Sequence, residues 1–180
     1  MSRLTPSLGP RDHTQGSARP QLQLVEYGDF ECPHCGAAYP IVKAIQHALG
    51  PRLLFAYRHF PLTRIHSHAE HAAEMAEAAG EHGKFWQMHD LLFENQEALE
   101  DEQLVRYAES VGIDPAWAAA ALVESRFAPR VREDFASGVR SGVNGTPTFF
   151  INGVRYDGGT DTLLDALMEA TIDAPLKSGG

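Results

Sequence analysis

Strand-forming segments lie at the two ends of this chain, and the helical stretch between residues 62 and 142 separates them. "LQLVEY" at 22–27 alternates in part and then meets "GDFE", which reads as a strand followed by a turn. A helix is expected from Pro33 to Leu49, closed by Gly50, with a kink at Pro40 because proline has no N–H for the Gly36 carbonyl. "RLLFAYRHF" at 52–60 reads as a second strand, so the first 60 residues make one β-α-β unit. In the middle, Ser67 and Glu70 form a capping-box pattern. Apolar residues at 85, 86, 88, 92 and 93 then make a helical stripe. Leu104, Ala108 and Val111 share a face that ends at Gly112, Asp114-Pro115 opens another helix, and one more is expected over Pro129–Ser141. Strand signals return in "TPTFFI", an Asn152-Gly153 hairpin turn and "VRY", and "TDTLLDALMEATI" closes the chain as a helix. The order is β-α-β, helical insertion, β-β-α. This α/β reading divides the chain into a flexible leader (1–20), one discontinuous domain (21–61 and 143–175) and an inserted helical domain (62–142), with a short "KSGG" tail.

The chain has 180 residues, room for one domain with a core and a sizeable insertion, and a formal net charge of −9. That charge disfavours nucleic acid or an anionic membrane surface as partner. The richest apolar run, Ala116–Val123, is far shorter than the roughly 18 residues of a membrane span. Residues 1–20 are dominated by Gly, Pro, Ser and Thr and lack the apolar core of a signal peptide. The expectation is a cytoplasmic protein as written, or a periplasmic one if a signal has been removed, and a monomer.

Only two cysteines are present, and they fall in "FECPHCGAAYPIV" at the junction of the first strand and first helix. In that setting a C-x-x-C pair reads as redox-active or metal-binding. With Cys32 at the N-cap, Pro33 takes the first helical position, where its missing N–H is harmless. The backbone N–H groups of His34 and Cys35 then point back at the Cys32 sulfur, which also meets the positive end of the helix dipole. His34 adds a charge or a ring donor. Such sites lower a cysteine pKa from about 8.5 into the range ~3.5 to ~7.5. A drop of two pH units stabilises the thiolate by about 2.7 kcal/mol. Only the reduced protein gains this, so the Cys32–Cys35 disulfide becomes oxidising. Cys32 is expected to be the attacked, more exposed sulfur and Cys35 the deeper, resolving one. Glu26 lies on the strand leading into the motif. It either points to solvent at the strand end, or is desolvated with a raised pKa and exchanges a proton with Cys35. Arg58 or His59 could approach it from the neighbouring strand, and alternation turns one of the two away.

The C-P-H-C motif between strand and helix, followed far downstream by "VNGTPTFFING", resembles the DsbA-like branch of the thioredoxin-fold thiol–disulfide oxidoreductases. The similarity also runs through "YRHFPL", "HGKFWQMHDLLFENQ" and the final hairpin, and covers residues 21 to 175. The resemblance implies a thioredoxin fold with an inserted helical domain. It implies Cys32 as nucleophile, Cys35 as resolving thiol, Glu26 as the buried acid and Pro147 as a cis-proline. Thr146, just before it, would pair with an extended substrate peptide through its backbone. Partners would be protein or peptide thiols and disulfides together with a separate redox partner. No organic cofactor is expected, because the two sulfurs carry both electrons. Secreted relatives carry a signal sequence, which residues 1–20 do not resemble, and two cysteines leave no second disulfide.

Two other readings of the cysteines stand beside this one. A structural disulfide would close a very small loop and restrain the unfolded chain little. Zinc wants four ligands, of which Cys32 and Cys35 supply two and the cluster His66, His68 and His71 the rest. That cluster straddles a helix start, so its rings need not converge, and its plainer reading is a solvated helix end. His59 and His89 read as core-edge or surface residues, and Trp86 and Trp117 as packing.

Overall fold

The computed structural model describes residues 1–172. The expected domain end at 175 and the "KSGG" tail lie outside the described residues. Elements follow in the order β1 (His13–Gly16), β2 (Leu22–Gly28), α1 (Pro33–Leu49), β3 (Leu53–His59), α2 (Ala69–Glu81), α3 (Phe85–Glu94), α4 (Asp101–Ser110) and α5 (Pro115–Val123). After these come α6 (Ala128–Arg140), β4 (Thr148–Ile151), β5 (Val154–Tyr156) and α7 (Leu163–Ile172). Short 3₁₀ turns at Gly50–Arg52 and Thr160–Thr162 precede β3 and α7. The sheet runs β1-β3-β2-β4-β5; β2 and β3 are parallel, and the other pairs are antiparallel. This is the thioredoxin arrangement expected from the order of signals, with α2–α6 inserted between β3 and β4.

β2 is covered on both faces, so six of its seven residues are buried although Gln23 and Glu26 interrupt its apolar run. Leu22 and Leu24 join Phe30, Val42, Ile45, Leu49, Phe55 and Met88 in one core, while Val25 and Tyr27 join Ala56, Phe60, Val143 and Phe150 in the other. Asn152 and Gly153 both take positive φ (50° and 79°), the geometry of a two-residue hairpin turn. Asp114 caps α5, its side chain accepting from the Ala116 and Trp117 amides.

Residues 1–20, expected to be a flexible leader, are part of the fold. β1 adds an antiparallel strand to the edge of β3. Leu4 and Leu8 cover the second core, and Leu4 N donates to Gly153 O at 2.9 Å beside β5. The belt is held by Arg58, whose guanidinium donates to Pro6 O, Ser7 O and Asp12. Two leucines and a four-residue polar strand are too weak a pattern to register against the Gly and Pro around them. A second correction concerns α2. His68, not Ser67, is the N-cap, and no side chain caps it; the His68 amide instead donates to Glu31 Oε2 at 2.7 Å. His59 and His89, read as edge or surface residues, are both buried.

Candidate active site

The redox motif begins where β2 ends. Cys32 is the N-cap of α1 (φ −72°, ψ 122°) with Pro33 directly after it, as the sequence predicts. Both cysteines are free thiols and both are buried, Cys32 at 3% exposure and Cys35 at 0%. Cys32 is thus the more accessible sulfur, but by less than expected. The loop before it is fixed by Asp29, whose side chain is fully buried. Its carboxylate accepts from the Glu31 amide (2.8 Å), the Leu62 amide (2.8 Å) and His66 Nδ1 (2.8 Å), and its carbonyl accepts from Cys32 N (3.1 Å).

The Cys32 pKa is lowered to about 5. The largest cause is a hydrogen bond from the Cys35 thiol; burial opposes it, and Thr146 and the Cys35 and His34 backbone amides add to it. Helix-start amides were the expected cause, and they are present, but the neighbouring thiol outweighs them. His34 acts on the sulfur through its backbone, and its side chain is exposed. Cys35 moves the other way, well above its ordinary value, through burial, its bond to Cys32 and the charges of Glu26 and Cys32. Two thiols separated by two residues are therefore driven to opposite protonation states.

Glu26 is buried rather than solvent-facing (2% exposed). Burial, and then repulsion from Cys32, push its pKa up to about 8, and among the described residues its Oε1 has no hydrogen-bond partner. Neither Arg58 nor His59 reaches it. Arg58 lies on the opposite face of β3 with Asp12 and Tyr27, and His59 gives its Nε2 to Glu77 at 2.8 Å. The register partner of Glu26 on β3 is Tyr57, whose buried hydroxyl is also unpartnered among the described residues.

The Thr146–Pro147 peptide bond is cis. When protonated, the Cys32 thiol donates to Thr146 O at 3.5 Å; among the described residues the buried Thr146 Oγ1 has no partner, which leaves its hydroxyl available to the thiolate. The structure thus brings Cys32, Cys35, Glu26, Thr146 and Pro147 to one place at the head of α1.

The histidine cluster does not join them as a ligand set. His66 bonds to Asp29 and His71 to Asp101 (2.6 Å). Burial opposes charge on His66, but Asp29, Cys32 and Glu31 together raise its pKa. Among the described residues, ligand atoms converge at His59, Glu77 and Asp134 instead. There Glu77 already accepts from His13 and His59, and Asp134 pairs with Arg130 at 2.5 Å, so donors of the protein already occupy the carboxylates. Asp29, Glu31 and Gln96 were missed by sequence reading. Their roles depend on backbone partners distant in the chain, which no local pattern announces.

The family described as Thioredoxin matches residues 9–173, and the chain belongs to that family. Among solved structures it is similar to BdbD from Bacillus subtilis in its oxidised form (TM-score 0.80, 22% identity, 89% of this chain and 93% of that one). It is also similar to a thioredoxin-like oxidoreductase from Silicibacter pomeroyi (TM-score 0.79, 25% identity, 92% and 95%) and to α-DsbA1 from Wolbachia pipientis (TM-score 0.76, 20% identity, 96% and 98%). The fold is that of the DsbA-type proteins. By sequence it is 42% identical over 172 residues to Na(+)/H(+) antiporter NhaA 3 of Salinispora tropica, covering 94% of this chain and 26% of the antiporter. A similar match, 39% over 170 residues, is to Na(+)/H(+) antiporter NhaA of Herminiimonas arsenicoxydans, covering 93% and 27%. The chain spans about a quarter of the length of the curated relatives it matches. Among the described residues no helix is long and apolar enough to cross a membrane.

Proposed function

We propose that the chain is a thiol–disulfide oxidoreductase domain that passes the Cys32–Cys35 disulfide to protein thiols. The observation that carries this reading is the opposed pair of thiols, Cys32 held as thiolate and Cys35 held protonated at the head of α1. A substrate thiolate attacks Cys32 Sγ, the Cys32–Cys35 bond breaks, and Cys35 leaves with the electron pair. Glu26, protonated near neutral pH, supplies the proton that Cys35 takes up. A second substrate thiolate attacks the substrate sulfur of the mixed disulfide, and Cys32 departs as a stable anion. A low-pKa leaving group speeds this step and sets its direction toward oxidation of the substrate. Thr146 and Pro147 line the approach to Cys32, where the Thr146 backbone pairs with an extended substrate segment. Cys35→Ser should trap a mixed disulfide with a disulfide-bonded peptide, the Cys32 thiolate attacking one peptide sulfur and the other leaving as a thiol; the adduct should be releasable by dithiothreitol and absent in Cys32→Ser. A Cys35→Ser protein that traps no peptide overturns the reading.

Support for a more specific partner comes from the antiporter relatives, which carry the matching segment within their own chains. On this reading the domain serves cysteines of a membrane transporter, and the compartment is the one into which those cysteines open. Co-expressing Cys35→Ser with such an antiporter and finding no transporter-linked species would reject that partner while leaving the exchange chemistry standing.

A further inference from the structure

Gln96 lies in the turn after α3, far in sequence from the redox motif, yet its side chain reaches the motif's backbone. Its Nε2 donates to Phe30 O at 2.7 Å and to Cys32 O at 2.9 Å. Both partners are carbonyls, which only accept, so the amide's orientation is forced. The two N–H groups of Nε2 are thereby saturated. Its Oε1 lies over Gly36, where a Cβ would overlap it. Gly36 is thus the opening through which the inserted helices touch the first turn of α1. The Cys32 carbonyl also accepts from Gly36 N at 3.0 Å, so Gln96 completes the hydrogen bonding of the residue that caps the helix.

We propose that Gln96 is a positioning residue for the redox centre: it holds the carbonyls of Phe30 and Cys32, fixing the cap turn that presents the Cys32 sulfur to the Cys35 thiol and the helix amides. The inference rests on the oxidoreductase reading and names a control that the inserted helices exert on it. The amide donors add positive potential beside the sulfur, and the fixed φ and ψ of Cys32 keep the aligned donors in place. The titratable groups that reach Cys32 are Cys35 on its own helix, Glu26 on β2 and His66 in the turn before α2. Changes at Gln96 alter none of these directly.

Thiolate absorbance against pH, read on the reduced full chain, tests the proposal. Gln96→Met keeps the bulk over Gly36 but cannot donate. We expect its Cys32 thiolate equilibrium to weaken about tenfold, the scale of one lost hydrogen bond, moving the midpoint up by about one pH unit. Gly36→Ala displaces the same side chain and should move the midpoint in the same direction. In a Gln96→Ala background, Gly36→Ala should then add nothing, because the group it displaces is gone. A merely structural role would lower the melting temperature and leave the midpoint where it was. Wild-type titration in Gln96→Met, or equal effects of Gly36→Ala with and without Gln96, overturns the proposal. If the wild-type sulfur itself titrates near 8.5, the oxidant reading fails independently of Gln96.

Discussion

Cys35 is the resolving thiol of the proposed mechanism and also the principal support of the Cys32 anion, which makes its replacement informative in two ways. Cys35→Ala removes the donor, and a hydrogen bond to a charged group is worth about 1.5–3 kcal/mol, so the Cys32 midpoint should rise from about 5 by roughly one to two pH units. Cys35→Ser keeps a donor and should move it less; thiolate absorbance of the two single-cysteine proteins compares them directly. Glu26 works in the opposite sense. Its pKa of about 8 lies above the ordinary carboxylate value, so its burial leaves stability intact below pH 4.5 and erodes it as pH rises toward 8. Glu26→Gln should therefore lose about 2–3 kcal/mol less stability than wild type between pH 4 and pH 7, measured by urea unfolding at both. C-x-x-C singles out the two cysteines from the residues alone, whereas Glu26 stays between solvent and burial and Thr146 and Pro147 come from the resemblance to DsbA-like proteins; the fold places all five at the head of α1. Sequence reading places the stabilisation of Cys32 chiefly on helix amides, because a side-chain bond between thiols has no signature in spacing alone.

At the scale of elements, the head of α1 is held by three separated segments. Leu62 and His66 reach it through Asp29, Gln96 follows α3, and Thr146 precedes β4. The belt of residues before β1 packs Leu4 and Leu8 on the second core, bonds to Ser141 and Gly153, and converges on one buried side chain. Arg58 is 3% exposed and serves Asp12, Pro6, Ser7 and Tyr27 at once. Arg58→Met strands a buried Asp12 carboxylate and should destabilise the protein by about 3–5 kcal/mol, measured by denaturant unfolding. Helix and strand positions were legible because α1, α5 and the β4–β5 hairpin each carry local signals: Pro33 and Gly50, Asp114 and Pro115, Asn152 and Gly153. The belt was not, since an arginine on a strand and two isolated leucines gain meaning only when the sheet brings them together. The start of α2 was misread for a related reason. Its first free amide bonds to Glu31 across the fold, which overrides the local Ser67–Glu70 pattern.

Across the whole molecule, thiolate stabilisation couples redox state to folding. With Cys32 at about 5 and an unfolded thiol near 8.5–9, ionisation favours the folded reduced form by about 2–3 kcal/mol at pH 7, equivalent to roughly 40–60 mV. The lowered pKa makes this contribution vanish as pH falls through 5. The reduced protein should accordingly melt above the oxidised one at pH 7, and the gap should narrow markedly at pH 4.5. Fold class was readable at this scale because the order of signals admits few arrangements, while the joining of insertion, belt and redox loop into one support was not, being made of tertiary hydrogen bonds. The most direct measurement is the equilibrium of the Cys32–Cys35 pair with glutathione at pH 7. We expect a potential well above the roughly −270 mV of a reducing dithiol; a value at or below that would contradict the assignment of Cys32 as a stabilised anion in an oxidising centre.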